Sequence, residues 1–278
     1  MEISSQRFWI KNQQRMDKNE LLPDFIEKGV SLYEVLRVIQ GVPLFLECHL
    51  ARLKHSAQLT QLELPLDDHQ ISQRLLALIN SNQVEQGNIK FVLNYPAAGQ
   101  PADFYAYFVE HDYPSPEDYC QGVKTVLVQM ERPNPNAKID RADYRKRIDE
   151  AKRKTGSYEA LLVDRERNVS EGGRSNLFMI KDEMVYTAPA NKVLKGITRK
   201  MVLVACENRG YQVCEKEISL DEMLAMDAIF ISSTSPKVLP VRQVDDNAID
   251  SGKNKVVQEI MAEYDAIIDE YIERHKAI

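Results

Sequence analysis

Apolar and polar residues along this chain keep two distinct periods, one of two residues and one near 3.6. The run Ser31-Leu32-Tyr33-Glu34-Val35-Leu36-Arg37-Val38 alternates as a strand does, and Gln40-Gly41 turns it into a partner over residues 42–46. Trp9 and Ile10 predict a short first strand. Further strands are predicted at 89–93, 103–109, 123–130, 160–163, 176–180, 211–218 and 228–232. The helical period appears near Glu47, where Leu50, Leu53, Ala57 and Leu59 form a stripe. It returns at 67–80, with Asp67 or Asp68 as N-cap, and at 142–154, 198–208 and 221–226. A last helix, 253–275, repeats Val257, Ile260, Met261, Tyr264, Ile268 and Tyr271, a stripe that reads as packing.

These elements fall into two halves. The segment 111–117 holds two prolines and few apolar residues, as a linker does. The expected organisation is a smaller α+β domain over 1–112, a linker over 113–122 and a larger domain over 123–278. A net charge of −6 gives no support to nucleic-acid binding. No run reaches membrane-spanning length and the first residues lack a signal peptide's apolar core, so a cytoplasmic protein without membrane association is expected. Cys48, Cys120, Cys206 and Cys214 show no paired spacing, which favours reduced thiols. Five scattered histidines predict no metal site.

The candidate chemistry lies in residues 158–199. Glu171-Gly172-Gly173 stands between two apolar runs, where a carboxylate is out of place and glycines allow close approach. A plain hairpin with a solvated Glu is the simpler reading of that stretch alone. Downstream, Gly196-Ile197-Thr198 opens a helix stopped by Gly210, and a helix start of free N–H groups and a hydroxyl is an anion site. Carboxylate and anion site together suit one ligand with a cationic ring at one end and phosphate at the other. Arg52, beside the apolar stripe of its helix, reads as a solvated arginine or as a bidentate phosphate ligand. Among the many charged residues near 138–154, nothing in the sequence by itself selects Lys138 over Lys146 or Lys152.

Glu171-Gly172-x-x-Ser175-Asn176-Leu177-Phe178, Leu194-x-Gly196-Ile197-Thr198-Arg199 and Ser232-Ser233-Thr234 followed by Pro240-Val241 resemble the class-IV, fold-type IV, pyridoxal-phosphate enzymes. That family includes D-amino-acid and branched-chain aminotransferases and aminodeoxychorismate lyase. The resemblance covers about residues 30–245 and implies a two-domain α+β / α/β fold whose larger domain is a pseudo-barrel. It singles out Lys138, 21 residues before Glu159, as the Schiff-base lysine. Around the cofactor it implies Arg52, Ile197, Thr198 and Thr234 at the phosphate, Glu171 at the ring nitrogen, Leu194 on the ring face, and Asn176. It further implies a homodimer whose small-molecule partners are an amino acid and a 2-oxo acid.

Substrate positions depart from the pattern. The arginine and histidine that hold the substrate carboxylate in the D-amino-acid branch are replaced by Asn94-Tyr95-Pro96-Ala97. Tyr33 matches that branch's substrate-side tyrosine. Lys90 is the expected carboxylate receptor, facing inward with Phe91 outward, and Arg174 is the reserve cation. An aminodeoxychorismate lyase, and a non-catalytic binding protein that keeps the fold, are the alternatives to an aminotransferase.

Overall fold

The computed structural model describes residues 4–20, 29–96, 100–111, 113–132 and 135–276. Ala97, Asp112, Pro133 and Asn134, named or spanned in the expectations above, lie outside the described residues, as do the first three residues. The chain forms two compact units. One is Met1–Asp112 with Ala137–Arg141 and Glu270–Ile278; the other is Tyr113–Asn136 with Ala142–Asp269.

In the first unit the strands are β1 (Phe8–Lys11), β2 (Gln14–Asp17), β3 (Val30–Ile39), β4 (Val42–Pro43), β5 (Gln86–Tyr95) and β6 (Asp103–Val109). They make one sheet in the order β2-β1-β6-β5-β3-β4. Its centre is a ten-residue antiparallel ladder between β3 and β5. Helices α1 (Leu46–Thr60) and α2 (Asp68–Asn82) cover one face. Asp67 starts α2 with a capping box, its carboxylate accepting from the Gln70 amide. Strand alternation sends Leu32, Leu36, Ile89, Phe91, Leu93, Phe104 and Phe108 into the core beneath the helices. The opposite face carries Trp9, Tyr33, Val92, Tyr105 and Tyr107. Both faces are buried, so the expectation that Phe91 points outward is corrected: Phe91 is fully buried under the helices and Lys90 is buried on the other face.

The second unit runs α3 (Pro116–Gln121), β7 (Val123–Gln129), α4 (Ala142–Thr155), β8 (Glu159–Val163), β9 (Val169–Gly172), β10 (Asn176–Lys181) and β11 (Met184–Thr187). It continues through α5 (Ile197–Asn208), β12 (Val213–Glu215), α6 (Leu220–Leu224), β13 (Ala228–Ser233), β14 (Lys237–Val244) and β15 (Asn247–Ala248). A short 3-10 turn and α7 (Lys255–His275) end it, α7 from Glu270 onward being assigned to the first unit. The sheet path is β12-β11-β10-β13-β14-β7-β8-β9, and pairing of β9 with β10 closes six strands into a ring. Alternate residues serve two cores. Leu161, Leu177, Met179, Ile229, Ile231 and Leu239 belong to one, while Val126, Ala160 and Leu162 pack with Ile148 of α4 in another.

Several boundaries differ from expectation. The stretch read as a linker contains α3, whose cap Ser115 and first-turn Pro116 are helix-start residues. Residues 137–141 belong to the first unit because Ile139 bridges Leu32. β9, β11 and β14 were not expected, and the strand over 211–218 is reduced to three residues.

Candidate active site

In the first unit, β3 and α1 meet over a buried carboxylate. Glu34 is fully buried and accepts from Arg52 Nε at 2.8 Å and Arg52 Nη2 at 2.5 Å, with His49 Nδ1 at 2.7 Å. Burial alone would raise the Glu34 pKa, but the Arg52 charge and the hydrogen bonds from Arg52 and His49 reverse this and bring it down to about 2. Burial pushes the His49 pKa down, against the pull of Glu34. His49 is therefore neutral, and Nδ1 is its protonated nitrogen, donating to the carboxylate. Arg52, expected at a phosphate, is held by this pair; it also makes interactions beyond it.

On the sheet's other face Lys138 Nζ lies 4.8 Å from the centre of the Tyr33 ring, and Lys90 Nζ 4.9 Å from the same ring. Lys90 is bound to Asp140 at 2.8 Å, with both side chains buried. Tyr33, Lys90 and Lys138 are thus brought together, but Lys90 already faces a carboxylate.

In the second unit, Glu171 on β9 is 2% exposed. It accepts from Arg132 Nε at 2.7 Å and from the Leu194 amide at 3.2 Å. Arg132 also donates to the Gly173 carbonyl and lies over the Tyr144 ring. Asn176, directly across from Glu171 in the β9–β10 pair, donates from Nδ2 to the Leu194 carbonyl at 2.8 Å. Leu194 is therefore clamped at both its amide and its carbonyl. Two residues on, Gly196 is the N-cap of α5, with no side-chain cap over the first amides. A Cβ at Gly196 would meet the Asn176 side-chain oxygen, so a larger residue here has to displace that side chain. Ile197 and Thr198 open the helix, both buried. Ser232, cross-strand partner of Asn176, has a buried hydroxyl with no hydrogen-bond partner. Thr234 lies in the turn between β13 and β14.

Arg174 is drawn away from this group. Its Nη2 donates to both carboxylate oxygens of Asp149 of α4, at 2.9 and 2.8 Å, with both side chains about half exposed. Sequence reasoning missed Arg132 and Asp140. Neither carries a local signal, because each acquires its role from a partner 39 or 50 residues distant.

The protein-family model for amino-transferase class IV matches residues 31–244. The chain belongs to the class IV aminotransferases. It is 29% identical over 255 residues to the D-alanine aminotransferase of Bacillus licheniformis, covering 87% of this chain and 89% of the relative. To the branched-chain-amino-acid aminotransferase of Pseudomonas aeruginosa it is 28% identical over 266 residues, covering 89% and 86%. Its fold matches a branched-chain amino acid aminotransferase from T.th. solved with pyridoxamine 5'-phosphate, at a TM-score of 0.86 and 22% identity over 97% of this chain and 98% of that one. The two-domain fold-type IV architecture is that of this family. Among the described residues no helix is long and apolar enough to cross a membrane, and no cluster of His, Cys, Asp and Glu could hold a metal.

Proposed function

We propose that this class IV enzyme is a pyridoxal-phosphate-dependent aminotransferase that moves an amino group between an amino acid and a 2-oxo acid through Lys138. The observation that carries this reading is the clamp on Leu194. It ties the buried carboxylate of Glu171 to the uncapped N-terminus of α5 through one residue. A ligand with a cationic ring nitrogen and a phosphate suits that pairing of a carboxylate with a helix start. The close approach of Asn176 to Gly196 and the unpartnered Ser232 hydroxyl fit such a ligand as well.

When bound, pyridoxal phosphate supplies an electron sink for the substrate carbon. In this reading Lys138 Nζ would hold the group at rest and, once displaced by the substrate amine, would carry the transferred proton. Glu171, kept in place by Arg132, would face the ring nitrogen and favour its protonated form by opposite charge. The amides of Ile197 and Thr198 and the Thr198 and Thr234 hydroxyls would receive the phosphate, and Leu194 and Asn176 would bound the ring; Arg52 is matched to Glu34, which weighs against its expected place at the phosphate. Tyr33 keeps its proposed place on the substrate side. Lys90 and Arg174 are each matched to an aspartate, which weighs against both as the first receptor of a substrate carboxylate. The working form we assign is a cytoplasmic homodimer, on the family resemblance.

Single-turnover spectra of the reconstituted protein against a panel of L- and D-amino acids and aminodeoxychorismate test this. Conversion of the cofactor chromophore by amino acids, reversed by 2-oxo acids, is expected. Release of pyruvate from aminodeoxychorismate without that reversal would assign a lyase instead.

A further inference from the structure

Lys138 sits in a short segment laid against the first unit's sheet. Ile139 bridges Leu32, the Tyr33 amide donates to the Lys138 carbonyl at 3.3 Å, and the Asp140 amide donates to the Ser31 carbonyl at 3.1 Å. The Lys138 amide in turn donates to Ser56 Oγ of α1 at 3.2 Å. In an extended segment residues two apart share a side, which groups Lys138 with Asp140. On the sheet, Val35 is the direct partner of Lys90, so Tyr33, two residues from Val35, shares the face of Lys90. Both ammonium groups lie against the one Tyr33 ring, and the Lys90–Asp140 pair beside it is 3% and 0% exposed.

Two physical consequences follow. A buried ammonium or carboxylate without its partner is strongly disfavoured, so the pair fastens Asp140, and with it the backbone two residues from Lys138, to β5. The pair also places one positive and one negative charge near the Lys138 amine, where a like charge favours the neutral amine and an opposite charge favours the ammonium.

We infer that Lys90 and Asp140 are positioning residues for Lys138, pinning its segment and balancing the charge beside its amine, rather than receptors for a substrate carboxylate. Besides Lys90 and Asp140, Tyr33 of β3 lies against this amine, and the Lys138 charge also reaches His49 of α1, which with Arg52 is bound to Glu34 of β3. His49 is neutral. Its pKa is lowered first by burial, with the Lys138 charge contributing, and Arg52 is compensated by Glu34. Lys90 and Asp140 are a buried pair of opposite charges on the sheet face, and each can be removed singly. The bearing of this inference on catalysis rests on the proposed role of Lys138; the charge balance itself does not.

The test is the pH–rate profile for acetylation of Lys138, read by mass spectrometry in the full-length chain stripped of cofactor. In Asp140→Asn, which leaves the Lys90 charge uncompensated, the midpoint falls by about one pH unit. In Lys90→Met, which leaves the Asp140 charge uncompensated, it rises by about as much, and in the double variant it returns to the parent value. A purely mechanical fastening moves both single variants in the same direction, and that result, or no shift in either, overturns the inference. Asp140→Glu and Lys90→Arg keep both charges and guard against failure of the neutral variants to fold; a shift of a full unit in either also overturns it. If pyridoxal phosphate attaches at some other lysine while the opposed shifts stand, the catalytic reading fails and the charge balance survives.

Discussion

Two buried carboxylates, each paired with an arginine, sit in the two units and behave differently. Glu34 is closed over by side chains of one helix: Arg52 takes both oxygens and His49 adds a third bond. Glu171 shares its arginine with the Gly173 carbonyl, and its second contact is the main-chain amide of Leu194, at the head of the glycine cradle. Glu34 is enclosed by Arg52 and His49 of one helix. Glu171 is built into the chain segment that leads to the α5 N-terminus. Burial and an ion pair therefore do not by themselves separate these two carboxylates; what their remaining contacts belong to does.

Breaking the closed site has the largest expected effect. Glu34→Gln strands the Arg52 charge in the core, and urea unfolding should show a loss of about 3–5 kcal/mol. Acid titration sharpens the same contrast. The folded-state pKa values of His49 and Glu34 are both depressed, so their contribution is complete above the ordinary value and is lost as pH falls. Stability should start to fall below pH 6.5 as the unfolded chain binds the His49 proton first. It should fall again between 4.5 and about 2 through Glu34. Each group adds at most about 1.4 kcal/mol per pH unit. Equilibrium unfolding at stepped pH measures this, and a Glu34→Gln background should lack the lower phase.

The open site should respond in ligand binding more than in stability. Gly196→Ala forces a methyl group against the Asn176 oxygen and disturbs its bond to the Leu194 carbonyl. Pyridoxal-phosphate affinity should drop about tenfold or more, while unfolding stability changes by about 1 kcal/mol or less. Equal losses in both would mean that Gly196 serves packing alone.

How far these features were legible in the sequence follows from their range. The β3 and β6 alternation and the Asp67 cap are local patterns, and they appear in the structure within one or two residues of where the sequence places them. The closure of the barrel was not legible: β9 and β11 are four residues each and carry glycine or short mixed runs, and β14 holds Pro240 within the sheet. At the site, Glu171 stood out because a carboxylate beside two glycines violates the local apolar pattern. Lys138 did not, since its surroundings are crowded with charge and its segment belongs to the first unit, far from it in sequence. The status of Lys90 and Arg174 was illegible for the same reason. Asp140 and Asp149, which occupy them, look like any residue of a solvated helix.

The central claim is that Lys138 is the lysine that holds the cofactor. Borohydride reduction of the reconstituted protein, followed by peptide mapping, tests it most directly. One phosphopyridoxyl label per chain is expected, on the peptide containing Lys138, and none in Lys138→Ala. Labelling at a different lysine, or no retained cofactor in a correctly folded parent, would contradict it.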